Sequence, residues 1–496
     1  MTVDNEKNPV LGIDLGTTFS AIARWDGQGT RAYQTSGGQD TLQSVVYYEP
    51  DREELIVGQV AYKRGVLNPE NVAIGVKREM DHANKEISLG DRKFSPIELS
   101  SLILKRLYSD VAQKFPNGDF SSRGTVVTVP YYFKANQCEN TRKAAQLADI
   151  NCVAILQEPI AASLSYTWQL VRENPEKERA ENILVFDLGG GTFDLTLFKL
   201  EQTKQNLLFE VLATGGDDRL GGMDFDECLS NLLLKKSNLS LEGLSEKEYR
   251  KSRLPLLDQA NYAKENLSAE QKSYVTVPYI LPGKHIDLEI ARAEFEGCIQ
   301  QYFNEIQSII EKLFATANFE PSAVDRVILA GGSSRIPRMK SLLEDLIGRN
   351  KVYANTNPSL CVAEGAAMYA AYLDDREVFG RDITIISRTC HALGVEIAGG
   401  KFERIIPANA QTPCDRRKIF GPGTDNATEV NINIYQGSAP YVKDNTLIGT
   451  LKIPDLPQKS RDDLNIWVTF KVSAEQTLTV IVEVDGRRHG GTFTFT

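Results

Sequence analysis

The chain has 496 residues, 42% of them hydrophobic and 25% charged, and a formal net charge of -10. A chain this long outgrows a single hydrophobic core, so about two to four domains are expected. The acidic balance argues against a nucleic-acid binder, which would carry a basic stripe, and no apolar run approaches the roughly 18 residues of a membrane span. The polar stretch 1–8 lacks the character of a secretory signal. Seven cysteines (Cys138, Cys152, Cys228, Cys298, Cys361, Cys390 and Cys414) are scattered and never form a C-x-x-C pair. That pattern suits reduced thiols in a cytoplasmic protein and argues against a zinc site or a disulfide framework.

From residue 10 onward, short apolar strands alternate with helical stretches, as in an α/β domain. In chain order, strands are predicted at 10–14 and 21–25, a helix at 96–114 and a strand at 125–129. Helices follow at 134–148 and 159–169, strands at 183–187 and 195–199, a helix at 292–314, a strand at 327–329 and a helix at 337–347. The last carries Met339, Leu342, Leu343 and Leu346 on one face and Gly348 just past its end, the pattern of a capped amphipathic helix. Residues 236–270 are polar and helical, with little to pack into a sheet, and read as a separate subdomain. After about residue 376 the pattern changes. Strands predicted at 394–397, 401–406, 429–435, 465–470, 478–484 and 491–495 are broken by Gly, Pro and Asn, as in a β-sandwich. No helical segment follows them.

An internal repeat carries the chemistry. Leu11-Gly12-Ile13-Asp14-Leu15-Gly16-Thr17-Thr18-Phe19 is echoed by Leu184-Val185-Phe186-Asp187-Leu188-Gly189-Gly190-Gly191-Thr192-Phe193-Asp194. Each copy is an apolar strand, an aspartate and a Gly/Thr turn. Glycines let backbone N–H groups approach anionic oxygens without an intervening Cβ, and threonine hydroxyls add donors. The aspartates repel phosphate but hold Mg²⁺ or its waters. Two such loops facing each other would clamp a triphosphate. One hairpin alone would read as an ordinary glycine turn; a matched pair with Asp at the same offset does not. Neither copy leads a G-x-G-x-x-G into a helix, and no G-x-x-x-x-G-K-[ST] loop occurs, so the Rossmann and P-loop solutions are set aside. A third glycine element, Gly331-Gly332-Ser333-Ser334-Arg335, ends a strand and opens a helix, where N–H groups and the helix dipole can face an anion or a ribose.

The pairing of Asp14-Leu15-Gly16-Thr17-Thr18 with Asp187-Leu188-Gly189-Gly190-Gly191-Thr192-Phe193-Asp194 resembles the actin, sugar-kinase and heat-shock chaperone superfamily. Further stretches are similar to the seventy-kilodalton (DnaK-type) heat-shock chaperones: Val57-Gly58-Gln59, Asn68-Pro69, Lys77-Arg78, Val126-Val127-Thr128-Val129-Pro130, Glu158-Pro159-Ile160-Ala161-Ala162 and Gly221-Gly222-Met223-Asp224-Phe225-Asp226. The resemblance implies an α/β actin-like ATPase domain of duplicated ribonuclease-H-like plan over residues 1–376, with a helical subdomain near 225–315. An apolar interdomain linker at 377–388 and an all-β sandwich at 389–496 would follow, without the family's C-terminal helical lid. It also implies slow hydrolysis of ATP to ADP and phosphate, with ATP/ADP and Mg²⁺ as ligands. Asp14 and Asp187 would hold Mg²⁺ mostly through water. Gly16, Thr17, Thr18, Phe19, Gly189, Gly190, Gly191, Thr192, Gly221 and Gly222 would hold the phosphates. Lys77 would sit by the terminal phosphate and the attacking water, which Glu158, Asp187, Thr192 and Asp194 would position. Asn261, Lys264, Glu265, Ser268, Gly331, Gly332, Ser333, Arg335 and Ser359 would hold the adenosine.

The chain departs from the family at several of these places. Asn261 stands where the family usually has Glu, Glu265 where many members carry arginine, and Ser359 where Asp is frequent. Cys138, beyond Pro130, replaces an arginine that relays nucleotide state. Pro130, Cys138, Ile383, Ile385 and Ile386 are the expected coupling residues. Val395, Ile397, Phe420, Val430, Ile432 and Val472 would line an apolar peptide pocket, with Ala398 and Gly423 leaving its arch open. The expected activity is an ATP-dependent chaperone that couples nucleotide state to extended apolar polypeptide segments, served by a J-domain co-chaperone and a nucleotide-exchange factor. The alternatives are a non-hydrolysing or uncoupled ATP-binding scaffold and a small-molecule kinase of the same fold.

Overall fold

The computed structural model describes residues 8–82, 84–115, 120–353, 357–472 and 477–494. Its first part is built on two sheets of one plan. In the first sheet, Val10–Asp14 lies parallel to Gly124–Val129 and antiparallel to Phe19–Trp25, and Gly124–Val129 is parallel in turn to Cys152–Gln157. In the second sheet, Arg179–Leu188 lies parallel to Arg326–Ala330 and antiparallel to Phe193–Gln202, and Arg326–Ala330 is parallel to Val352–Tyr353. The repeated sequence is therefore a repeated topology, with Asp14 the last residue of its strand and Asp187 the last but one of its own. Leu11, Ile13, Leu184, Val185 and Phe186 are all buried, as parallel strands with both faces covered require. Helix Cys361–Asp374 rests on the first sheet and helix Glu158–Glu173 touches both. The two helices meet where Gly365 lies so close to Ala161 that a Cβ would sit 1.7 Å from its carbonyl oxygen.

The helix Pro337–Ile347 has the predicted bounds. The helix predicted at 292–314 is broken at Ile299 into Arg292–Cys298 and Gln300–Ala317. The subdomain near 225–315, expected to be helical, is mixed. Helices Gly222–Lys236 and Glu246–Ala269 are followed by an antiparallel hairpin, Lys272–Leu281 with Lys284–Ala291. Alternating burial along that hairpin explains it: Val275, Val277, Ile286 and Ile290 point into the helices while their neighbours face water.

The second part is a sandwich of two four-stranded sheets. One sheet contains Ala392–Ile397, Lys401–Ile406, Val430–Gly437 and Thr446–Ile453; the other contains Cys414–Phe420, Ile466–Val472, Thr477–Val484 and Arg487–Thr494. Leu393, Ile434, Phe470, Val480 and Val482 form its core. Residue 495, at the end of the last predicted strand, lies outside the described residues. The apolar stretch expected as a linker is itself a strand, Asp382–Arg388. It pairs parallel with Asn206–Asp217 of the first part and antiparallel with Gln411–Thr412. Ile383 is buried there, and Ile385 and Ile386 are partly so.

Candidate functional site

The two Gly/Thr loops face each other across a cleft with a cavity of about 490 Å³. Asp14, Gly16, Thr17, Thr18, Phe19, Lys77, Glu158, Asp187, Gly189, Gly190 and Thr192 line it. So do Asn261, Lys264, Glu265, Ser268, Gly331, Gly332, Ser333, Arg335 and Ser359. Among the residues predicted for this site, Gly191, Gly221, Gly222 and Asp194 are not in the wall. Gly222 N–H donates to Gly189 O at 3.0 Å, which places the glycine pair directly behind the second loop. Thr41, Ile336, Pro358 and Val362 complete the lining without having been foreseen.

Buried charge dominates one half of the cleft. Lys77 and Glu158, each 6% exposed, form an ion pair at 2.6 Å. Burial pushes the Lys77 ammonium down, but the carboxylates of Glu158, Asp14 and Asp194 more than offset this and leave it raised. Asp14 is raised to about 7, first by burial and then by Glu158, against opposing help from Lys77 and the Thr128 hydroxyl. Burial and then Glu158 raise Asp194 to about 8, although it accepts the Tyr132 N–H at 3.3 Å. Asp187 is raised well above its usual range by burial and then by Glu158, Asp194 and Asp14. Four carboxylates around one ammonium are short of positive charge. Among the described residues, no group of three or more His, Cys, Asp or Glu side chains gathers to hold a metal directly. Carboxylate oxygens are hard donors, and such a set suits a hard cation such as Mg²⁺.

The loops themselves are built for anions. Thr18 has a buried hydroxyl that hydrogen-bonds to nothing else among the described residues, so it is free to donate to a phosphate oxygen. Gly190 passes so close to it that a Cβ would lie 1.9 Å from Thr18 Oγ1, and a Cβ on Gly191 would lie 2.4 Å from Thr17. Arg78, which sequence reasoning treated only as the neighbour of Lys77, ties the second loop down. Its Nε donates to Gly191 O at 2.9 Å and its Nη2 to Asp224 Oδ2 at 2.5 Å. Its partners lie more than a hundred residues away, so no local pattern announces the role.

The other half of the cleft is internally neutralised. Lys264 Nζ lies 2.8 Å from Asp226 Oδ1 and donates to Gly222 O at 3.0 Å. Asn261 Nδ2 donates to Asp226 Oδ2 at 3.1 Å. Ser333 Oγ donates to Gly189 O at 3.0 Å, tying the third glycine element to the second loop. Arg335 Nη2 donates to Asn357 Oδ1 at 3.2 Å, and the same oxygen accepts from the Ser359 N–H at 3.2 Å. Glu265 is raised by burial, with Lys264 opposing the shift.

The predicted peptide residues come from both sheets of the sandwich and meet in its core. Val395, Ile432 and Val472 are buried, while Ile397, Phe420 and Val430 are partly buried against the same cluster. Ala398 and Gly423 are exposed. Of the predicted coupling residues, Cys138 is buried in the core of the first sheet's lobe. Several hydrogen bonds between the two parts come from residues just after Pro130. Tyr131 OH shares a hydrogen bond with Ser387 Oγ and donates to Arg388 O, both at 2.8 Å. Cys390 Sγ donates to Tyr131 O at 2.8 Å, His391 Nε2 lies 3.3 Å from Tyr132 O, and Ala135 N–H donates to Gln436 Oε1 at 2.9 Å.

No helix among the described residues is long and apolar enough to cross a membrane. The Hsp70 protein family matches residues 10–88 and 80–492. A chaperone protein dnaK of Trieres chinensis is 34% identical over 95% of this chain and 78% of its own length. The chaperone protein DnaK of Thermotoga maritima is 33% identical over 95% of this chain and 77% of its own. That of Thalassiosira pseudonana is 34% identical over 95% and 80%. With an actin-like ATPase part followed by a β-sandwich, and with this likeness running almost end to end, the chain belongs to the Hsp70 family.

Proposed function

We propose that the chain is an ATP-dependent chaperone that hydrolyses ATP to ADP and phosphate and uses the state of the nucleotide to regulate how its sandwich holds extended apolar polypeptide segments. Membership of the Hsp70 family supports the chaperone role. The observation that carries the coupled reading is one residue: Tyr132 N–H meets Asp194 behind the cleft, while Tyr132 C=O meets His391 where the chain enters the sandwich. Mg²⁺, when bound, supplies positive charge against the phosphate oxygens. Asp14 and Asp187 hold its waters. Thr17, Thr18 and the backbone N–H groups of the two loops bind the phosphates. Lys77 brings an ammonium to the terminal phosphoryl oxygens, where negative charge must be stabilised. Glu158, kept in place by Lys77, orients the attacking water together with Thr192, and Asp194 adds its charge from behind the wall. Lys264, Ser268, Ser333 and Arg335 hold the nucleoside. Ile397, Phe420 and Val430, partly buried over Val395, Ile432 and Val472, offer side-chain contacts to an extended client whose backbone supplies hydrogen bonds. A J-domain co-chaperone and a nucleotide-exchange factor complete the cycle. Nucleotide control requires that ATP bind the docked arrangement better than ADP does.

The test is single-turnover hydrolysis of radiolabelled ATP by the purified chain, with and without an apolar heptapeptide, beside Lys77→Ala. Slow hydrolysis that the peptide accelerates and the substitution abolishes is the expected result. Hydrolysis indifferent to peptide would remove the coupling, and tight ATP binding without turnover would make the chain an ATP-binding scaffold.

A further inference from the structure

The outer sheet of the sandwich carries a trough that nucleotide and client do not use. Val468, Phe470, Val472, Val480 and Val482 point inward, so the alternate residues of those strands face solvent. The register aligns Arg417, Thr469, Ile481 and Gly490 in one row across the four strands. Thr469 is short and Gly490 has no side chain, so this row forms a floor. Asp415 and Lys471 stand in the row on one side. Trp467, Glu483 and Arg488 stand in the row on the other. A cavity of about 390 Å³ lies there.

Charge and composition say what fits. Arg416, Arg417, Lys471 and Arg488 line the cavity against Asp415 and Glu483, on a chain of net charge -10. Arg417 is spent within the protein, stacked 4.3 Å above the Trp467 ring and paired with Glu483. Lys471 and Arg488 make no ion pair among the described residues. Trp467 and, beside it, Ile419 are 37% and 48% exposed, and Trp with Arg is the composition of an interface anchor. The walls are four residues apart along the strands, about 13 Å at ~3.3 Å per residue, and the floor crosses four strands, about 14 Å at ~4.8 Å spacing. Those dimensions take about four residues of extended chain. A single nucleic-acid strand would need successive aromatic platforms, and Trp467 is the one aromatic ring on this face among the described residues. We infer that this trough binds an extended acidic polypeptide segment. Its carboxylates meet Lys471 and Arg488, and an apolar side chain lies on Ile481 and Trp467.

The probe is a fluorescein-labelled octapeptide alternating glutamate and leucine, titrated by anisotropy against the full chain with excess unlabelled apolar heptapeptide present. Binding should persist under that competition, weaken with added salt, and fall at least about tenfold in Lys471→Glu/Arg488→Glu. Trp467→Ala should weaken it less. The same peptide with glutamine for glutamate should not bind, a comparison that decides the matter even if a variant folds poorly. The inference is overturned if charge reversal leaves affinity unchanged, or if the apolar heptapeptide displaces the probe. It is equally overturned if oligothymidylate or anionic phospholipid vesicles bind this face more tightly than the peptide does.

Discussion

The two halves of the cleft treat buried charge in opposite ways. Where the triphosphate is proposed to lie, Asp187, Asp194 and Glu158 are buried, and Asp14 partly so, around one ammonium, Lys77, and desolvation with mutual repulsion raises all three aspartates. Where the nucleoside is proposed to lie, burial raises Asp226 too, but Lys264 at 2.8 Å and Asn261 at 3.1 Å both oppose the shift. The first half has one ammonium for four carboxylates; in the second, Asp226 has its own ammonium in Lys264. A site short of positive charge depends steeply on each charge it contains, whereas a neutralised one absorbs substitutions. The departures at Asn261, Glu265 and Ser359 all fall among residues assigned to the nucleoside half.

Lys77→Met tests the first half most sharply. Removing the one ammonium should lower the single-turnover rate by on the order of 10²–10³. It also leaves Glu158 buried without its partner, which costs about 3–5 kcal/mol of stability, measurable by calorimetry. Adding Glu158→Gln should restore much of that stability and none of the turnover. If Lys77→Met turns over normally, the phosphate half has been misassigned. Gly190→Ala comes next. Its Cβ would overlap Thr18 Oγ1 at 1.9 Å, and a misplacement of about 1 Å between catalytic elements costs about 10²-fold. Thr18→Gly in the same chain should return part of the loss, which nucleotide titration would detect. Asn261→Ala probes the second half. Lys264 still holds Asp226, so losing one hydrogen bond of about 1 kcal/mol should weaken ATP binding only about fivefold. An effect as large as that of Lys77→Met would erase the contrast.

What the sequence made legible follows from this geometry. Phosphate contact needs Gly, Thr and Asp close together in the chain, so both loops and their aspartates could be read directly, as could the helix Pro337–Ile347 from its periodicity. Strand Asn206–Asp217, outside the predicted elements, alternates buried and partly buried positions almost throughout, a regularity that the apolar runs Leu207-Leu208-Phe209 and Val211-Leu212-Ala213 hide in the sequence. Arg78 was not legible, because Gly191 and Asp224 reach it only through the fold. Nor was the role of Tyr131 and Tyr132, whose partners Ser387, Arg388, Cys390 and His391 belong to the other end of the chain. The residue pattern could place the stretch 382–388 between two compositions. It could not show that pairing with Asn206–Asp217 makes the same residues a strand.

The smallest expected effect lies at the junction between the two parts. His391 is packed edge-on against Tyr132, with ring centroids 5.7 Å apart, and its Nε2 is 3.3 Å from Tyr132 O. Burial lowers its pKa from 6.5; the Tyr132 carbonyl opposes that, Lys134 adds to it, and Asp218 opposes it. The docked arrangement therefore favours the neutral ring. Above the ordinary value of about 6.5 the ring is neutral whether docked or free, and pH leaves docking unchanged. As pH falls below that value the free ring takes a proton the docked ring resists, so docking weakens, by no more than about tenfold per pH unit for one proton. The measurement is amide hydrogen exchange at residues 382–388, expressed as the ratio of the native chain to His391→Gln at each pH so that intrinsic exchange cancels. The ratio should be flat above pH 7 and should rise towards pH 5. A flat ratio throughout would mean that the interface holds the charged ring as well as the neutral one, and the junction would then join the nucleoside half as a place where charge is already balanced.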